Sequence, residues 1–193
     1  AASGQVPAEP GALIRAVAEA AAGDILVLAP GRHDGPLHLS RPLTIEGAGQ
    51  AVIHGNGQGS VITVTGPDIT IRGLEIRGSG GSHETLDSGV QLTREAARVL
   101  VENNRILGNL HGVDVHGARD SIVRGNVIVG RDDHRMNDRG NGVYVWNAPG
   151  TRIEGNDIRR GRDGIFVNAS NRGVFRDNLF RDLRFAVHYM YAN

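Results

Sequence analysis

A right-handed parallel β-helix is the all-β fold that the sequence predicts, with coils of about 22 residues, three short strands per coil and a short N-terminal capping helix. Two repeated features and one compositional one carry that prediction. Asn104, Asn126, Asn156 and Asn178 each close a Val- or Ile-rich unit, at intervals of 22, 30 and 22 residues. Each unit opens on a Gly-apolar-x-apolar-x pentad: GVQLT from Gly89, GVDVH from Gly112, GVYVW from Gly142 and GIFVN from Gly164, followed by AVHYM from Ala186. With 28 Gly and only 4% aromatic residues in 193, the composition suits many short strands joined by tight turns.

The elements follow in order. Leu13, Ile14, Val17 and Ala20 or Ala21 fall at helical spacing between Pro10 and Gly23, which predicts a capping helix over about 11–22. From Asp24 onward, strand-length apolar runs are divided by Gly, Pro, Asn and Asp. Gly73 stands where Gly125 and Gly155 stand in the later units, so the early runs are incomplete versions of the same repeat. No linker interrupts this pattern, so residues 1–193 read as a single domain whose coils start at about 24 and are expected to continue beyond Asn193.

A unit of this size cannot bury a core alone, so neighbouring units must stack in register. Stacking forms interior columns: Val90, Val113, Val143, Ile165 and Val187 in one, and Leu92, Val115, Val145, Val167 and Tyr189 in the next. Val101, Val123, Ile153 and Phe175 make a third, and Ile106, Ile128, Ile158 and Phe180 a fourth. The right hand follows from the usual hand of crossovers between parallel strands. The asparagines then act as a structural ladder, amide on amide from coil to coil. The 30-residue interval holds eight extra residues, which makes residues 131–139 (RDDHRMNDR) a protruding polar loop, and residues 78–88 form an earlier excursion. Loops that break a repeat commonly sit on its binding face.

Composition narrows function by exclusion. A formal net charge of zero argues against a mainly electrostatic nucleic-acid binder. All 21 basic residues are Arg, a bias that fits a GC-rich source. The absence of Cys excludes disulfides, thiolate metal sites and thiol nucleophiles. No run approaches the roughly 18 apolar residues of a membrane span. The first residues carry no charged and apolar signal pattern, so an exported protein would be represented by its processed form.

Alternation along the pentads turns their third and fifth residues outward: Gln91 and Thr93, Asp114 and His116, Tyr144 and Trp146, Phe166 and Asn168, His188 and Met190. Tyr144, Trp146, Phe166 and Asn168 form a candidate face for a partner or ligand, enriched in rings as interfaces are; cover by residues 131–139, or by chain beyond Asn193, is the structural alternative. Both Met residues occur as His-x-Met, in His134-Arg135-Met136 and His188-Tyr189-Met190. Thioether and imidazole suit soft Cu(I), which makes His188, Met190, His134, Met136 and His116 candidate copper ligands. Asp114 and His116 share a face and form a candidate acid–base pair for a lyase- or epimerase-like reaction on a polysaccharide, with Asp132, Asp133 and Asp138 as further acids nearby. No organic cofactor is indicated.

The 22-residue coils, the R-G-N turns, the segment GDILVLAPGRHDGPLHLSRPLTIEGAGQAVIHGNGQGSVITV and, most specifically, DGIFVNASN and RDLRFAVHYMYAN together resemble the NosD family. That resemblance implies a longer, periplasmic, non-enzymatic β-helix protein, of which this chain is an N-terminal fragment. It implies work with ABC transporter subunits and a copper chaperone in maturing the copper sites of nitrous oxide reductase, by handling copper or supporting sulfur delivery. A carbohydrate-binding or polysaccharide-modifying β-helix is the alternative, with Asp114, His116, Tyr144 and Trp146 as its residues.

Overall fold

The computed structural model describes residues 3–193, with side chains from Gln5 onward, and is a parallel β-helix. Its strands form two parallel sheets. One has thirteen strands and wraps two sides of the coil; the other has seven strands and forms the third side. From residue 100 each coil contributes two strands to the large sheet and one to the small, as in Leu100–Glu102, Arg105–Asn109 and His111–His116. The bend between the first two strands needs left-handed backbone. Asn103, Gly125, Gly155 and Asp177 supply it at φ 55, 67, 64 and 58°, and Gly73 does so at 68° within the unbroken strand Thr70–Arg77. Gly or a short amide or acid tolerates that conformation best.

The predicted columns are in register. Val113 sits between Val90 and Val143, then Ile165 and Val187 follow, and Val123 and Ile128 lie between their counterparts in the same way. The middle of each column is fully buried. Tyr189 departs from its expected interior place: its register against Val167 holds, yet it is 61% exposed because Phe185–Met190 is paired on one side only.

The asparagine ladder runs through the buried corner. Asn126 Oδ1 accepts both the backbone N–H and the side-chain amide of Asn104, at 3.0 and 3.1 Å, and the same pair of bonds links Asn126 to Asn156 and Asn156 to Asn178. Each amide also donates to a carbonyl of the preceding coil, Asn126 to Val101 and Asn156 to Val123. Backbone groups at the bend, which a strand ladder would leave unpaired, are thereby satisfied.

The pentad glycines occupy the opposite corner. A Cβ on Gly112 would collide with the Gly142 carbonyl oxygen and with Ile128 Cγ2, and one on Gly142 with Ile158 Cγ2. Close approach, rather than positive φ, is what requires glycine here. Gly112→Ala is expected to cost about 2 kcal/mol by overpacking, read as a lowered denaturation midpoint at unchanged slope.

Two local expectations needed correction. The helix spans Ala12–Glu19, shorter than about 11–22, because Ala20 turns extended and the Asp24 carboxylate accepts the Ala21 N–H at 2.9 Å. Its buried residues are Ala12, Leu13 and Val17, while Ile14 is 50% exposed. The coils also start earlier than about 24: Ser3–Val6 pairs in parallel with Ile25–Leu28 one rung on, so the helix lies in the connection between strands of two successive coils.

Candidate functional site on the outer face of the small sheet

The strands Ser88–Leu92, His111–His116, Val143–Trp146, Asp163–Asn168 and Phe185–Met190 bring the outward residues into two columns. Gln91, Asp114, Tyr144, Phe166 and His188 stack in one; Thr93, His116, Trp146, Asn168 and Met190 in the other. Ring contacts join successive rungs. His116 stacks on Trp146 at 4.5 Å and 22°, Tyr144 on Phe166 at 5.2 Å, and Phe166 meets His188 edge-on at 5.0 Å.

The first column is covered at its upper end and the second is open. Asp114 is fully buried, whereas Trp146 and Met190 are 37% and 39% exposed. The 78–88 excursion reaches the column, where its Thr85 carbonyl accepts from Gln91, and the two excursions meet each other. His83 Nε2 contacts the Asp138 carbonyl at 2.8 Å, and Arg131 donates to the Gly80 carbonyl. Asp87, itself buried, ties down its own loop by accepting the Ser82 N–H and the Thr85 hydroxyl. The acids of residues 131–139 are engaged elsewhere: Asp133 pairs with Arg131 and His134, and Asp132 lines a cleft beside Leu107 and Arg160. Met136 opens a single 3-10 turn, Met136–Asp138, and is 37% exposed.

Asp114 is the buried centre. Gln91 Nε2 donates to its Oδ2 at 2.9 Å, and His116 Nδ1 lies 3.6 Å from its Oδ1, an ion contact beyond hydrogen-bond length. Contact with Asp114 raises the His116 pKa above the ordinary value, against partial burial. Burial, and then the Asp114 charge, raises that of Tyr144. His111 points the other way: burial pushes its pKa down to about 4, His83 adds to the effect, and Asp114 and Asp87 oppose it. His111 is therefore neutral at pH 7. Its Nδ1 accepts the Asn141 N–H at 2.9 Å, so the proton resides on Nε2. His111 Nε2, Asp114 Oδ1 and His116 Nδ1 are all buried without a hydrogen-bond partner among the described residues.

His111 belongs to a second buried polar column that the sequence reading missed, made of the residue before each pentad: Ser88, His111, Asn141 and Asp163. The Asn141 N–H bonds to His111, and Asn141 Oδ1 in turn accepts the Asp163 N–H. The side chains of His111, Asn141 and Asp163 differ, but each accepts a bond from the next coil, while the Ser88 hydroxyl donates to the Leu86 carbonyl of its own turn. At the end of the column Asp163, 1% exposed, accepts two bonds from Arg184 at 3.0 and 3.1 Å and one from His188 Nδ1 at 3.1 Å. His188 is thus oriented through Nδ1.

The register separates the candidate ligands. His116, Trp146, Asn168 and Met190 are consecutive rungs, so His116 stands three strand spacings, roughly 14 Å, from Met190. No group of three or more His, Asp or Glu is arranged to hold a metal ion among the described residues. Beside the second column, Thr93, Arg94, Glu95, His116, Trp146 and Asn147 line an open cleft of about 530 Å³. No helix is long and apolar enough to cross a membrane among the described residues.

Comparison with known proteins gives two overlapping matches. The family described as "Periplasmic copper-binding protein (NosD)" matches residues 124–193, and the family described as "Right handed beta helix region" matches residues 43–134, in agreement with the expected hand. The "Probable ABC transporter binding protein NosD" of Stutzerimonas stutzeri is 35% identical over 137 residues, which is 71% of this chain and 31% of that protein. Its namesake from Pseudomonas aeruginosa is 32% identical over 137 residues, 71% of this chain and 32% of that one. Among solved structures, an alginate lyase from Paenibacillus superposes with a TM-score of 0.62 at 24% identity, over 91% of this chain and 76% of the lyase. At that identity the likeness is one of fold.

Proposed function

Because the chain belongs to the NosD family and spans about a third of the length of the curated relatives it matches, we propose that it is a periplasmic accessory module for assembling the copper sites of nitrous oxide reductase. It works with an ABC transporter and a copper chaperone, handling copper or supporting sulfur delivery, and carries out no catalysis of its own. Copper here is cargo.

The observation that carries this reading is the pinned imidazole of His188. A buried carboxylate, itself held by Arg184, orients Nδ1 and leaves Nε2 as the nitrogen for a ligand role, on the same strand face as the Met190 thioether. Imidazole and thioether are the soft donors of a Cys-free chain, and a low-coordinate pair suits Cu(I) that must be passed on. His134 and Met136 on the 131–139 loop and His116 above Trp146 are further donors, each at its own place.

The test is a Cu(I) titration against a competing chelator. The His188→Ala, Met190→Ala double variant is expected to bind at least tenfold more weakly than the parent chain. Asp163→Asn, which keeps the side chain's size but loosens the imidazole, is expected to lose about tenfold, at the lower end of outer-shell effects. Equal affinity in all three proteins, with unchanged circular dichroism, removes these ligands and the copper role with them.

A further inference from the structure

We propose that the cleft beside His116 and Trp146 is a saccharide-binding site that accepts a pyranose ring. The argument starts from side-chain size along the open column. Thr93 is short, and its hydroxyl is turned back to the Val64 carbonyl and to Glu95. The next two rungs are the stacked rings of His116 and Trp146, 4.5 Å apart. The stack therefore ends as a ledge, with the face of His116 opposite Trp146 looking over Thr93 into about 530 Å³ of open space. That volume lies within the roughly 300–1,000 Å³ of small-ligand sites.

The rim selects the ligand. On the large sheet, arginines pair with acids on neighbouring rungs or beside them, Glu102 with Arg124 and Glu154 with Arg152 and Arg176. Arg94 has no such partner among the described residues and borders the cleft. Glu95 and Asn147 line the same cleft. A flat ring ledge with donor and acceptor groups around it suits a ligand with one apolar face and an edge of hydroxyls, since each hydroxyl both donates and accepts. A purely apolar ligand would strip water from Arg94 and Glu95 without replacing it. A compact polyanion would meet Glu95, with Asp114 buried behind it. A neutral or singly charged pyranose meets neither obstacle. Gly117 lets the chain lie against Arg94: its φ is 78°, and a Cβ there would touch the Arg94 side chain at 3.4 Å. This proposal is independent of copper and is tested on metal-free protein.

Trp146 is the chain's only tryptophan, so intrinsic fluorescence reports this cleft directly. Neutral tetrasaccharides (cellotetraose, chitotetraose) and uronate tetrasaccharides (of galacturonate and mannuronate) are titrated to 10 mM. A saturable change with at least one of them is expected, weakened at least tenfold by Arg94→Ala and by Glu95→Gln, both surface changes that leave the fold intact. Thr93→Phe, which fills the ledge, is expected to abolish it. A response confined to the uronates assigns Arg94 to the carboxylate; one shared by both classes assigns the recognition to hydroxyls. No change with any sugar, or a change that survives Arg94→Ala and Glu95→Gln, overturns the proposal.

Discussion

Asn126→Ala is expected to lower the stability of the chain by about 4 kcal/mol, whereas Asn178→Ala should cost about 1–2 kcal/mol. The central amide is 1% exposed, and truncating it strands the Asn104 N–H and the Val101 carbonyl in the interior. Two buried polar groups left without partners cost roughly 1–3 kcal/mol each. Asn178 makes the same contacts upward, to Asn156 and to the Ile153 carbonyl, but it is only part-buried, so water replaces some of what is lost. Chemical denaturation of both variants measures the difference. Equal losses would mean that the amides pair with each other without supporting the bend.

The second large effect is a loss of stability in acid that traces to His111. Its folded pKa is lowered to about 4 from an ordinary 6.5, so the folded state keeps the ring neutral while the unfolded chain takes up a proton. The contribution is therefore fully present above about pH 6.5 and is lost as pH falls towards 4. At about 1.4 kcal/mol per pKa unit, the loss amounts to roughly 3 kcal/mol across that interval. His116 has the opposite sign: its pKa is raised, so its contribution is present below the unfolded value and is lost as pH rises through the folded one. His111→Asn should remove the acid lability while keeping the column, because Asn141 already meets the same need one coil on by accepting the Asp163 N–H. Denaturation midpoints at pH 7 and 4.5 check this. A variant as acid-labile as the parent would assign the effect to other groups.

The repeat made most of the fold legible. Period-two alternation, a 22-residue step lengthened once by eight residues and an amide at each bend all pointed to the same stack, and they fixed both the interior columns and the outward pairs. The strand Ser3–Val6 escaped notice because its single buried apolar side chain among the described ones, Val6, gives no alternation to read. The second polar column escaped for a different reason: His111, Asn141 and Asp163 share a hydrogen-bonding duty but no chemical likeness. Alternation correctly turned Asp114 outward. The two excursions meet each other, and contacts between two irregular segments more than fifty residues apart leave no trace in local pattern. Likewise the cleft at Thr93 arises from a short side chain beside two stacked rings, which becomes visible only once the rungs are aligned.

Stacked repeats usually couple each coil to its immediate neighbours alone, so that such a solenoid can fray turn by turn from either end. The bonds from His83 to Asp138 and from Arg131 to Gly80 skip a coil: the turn holding Leu100–Glu102, Arg105–Asn109 and His111–His116 lies between the two that they join. That turn cannot melt while the clasp around it holds. The middle of the molecule should therefore open as one block of three turns, with amides of residues 100–116 exchanging together and more slowly than those of 152–181.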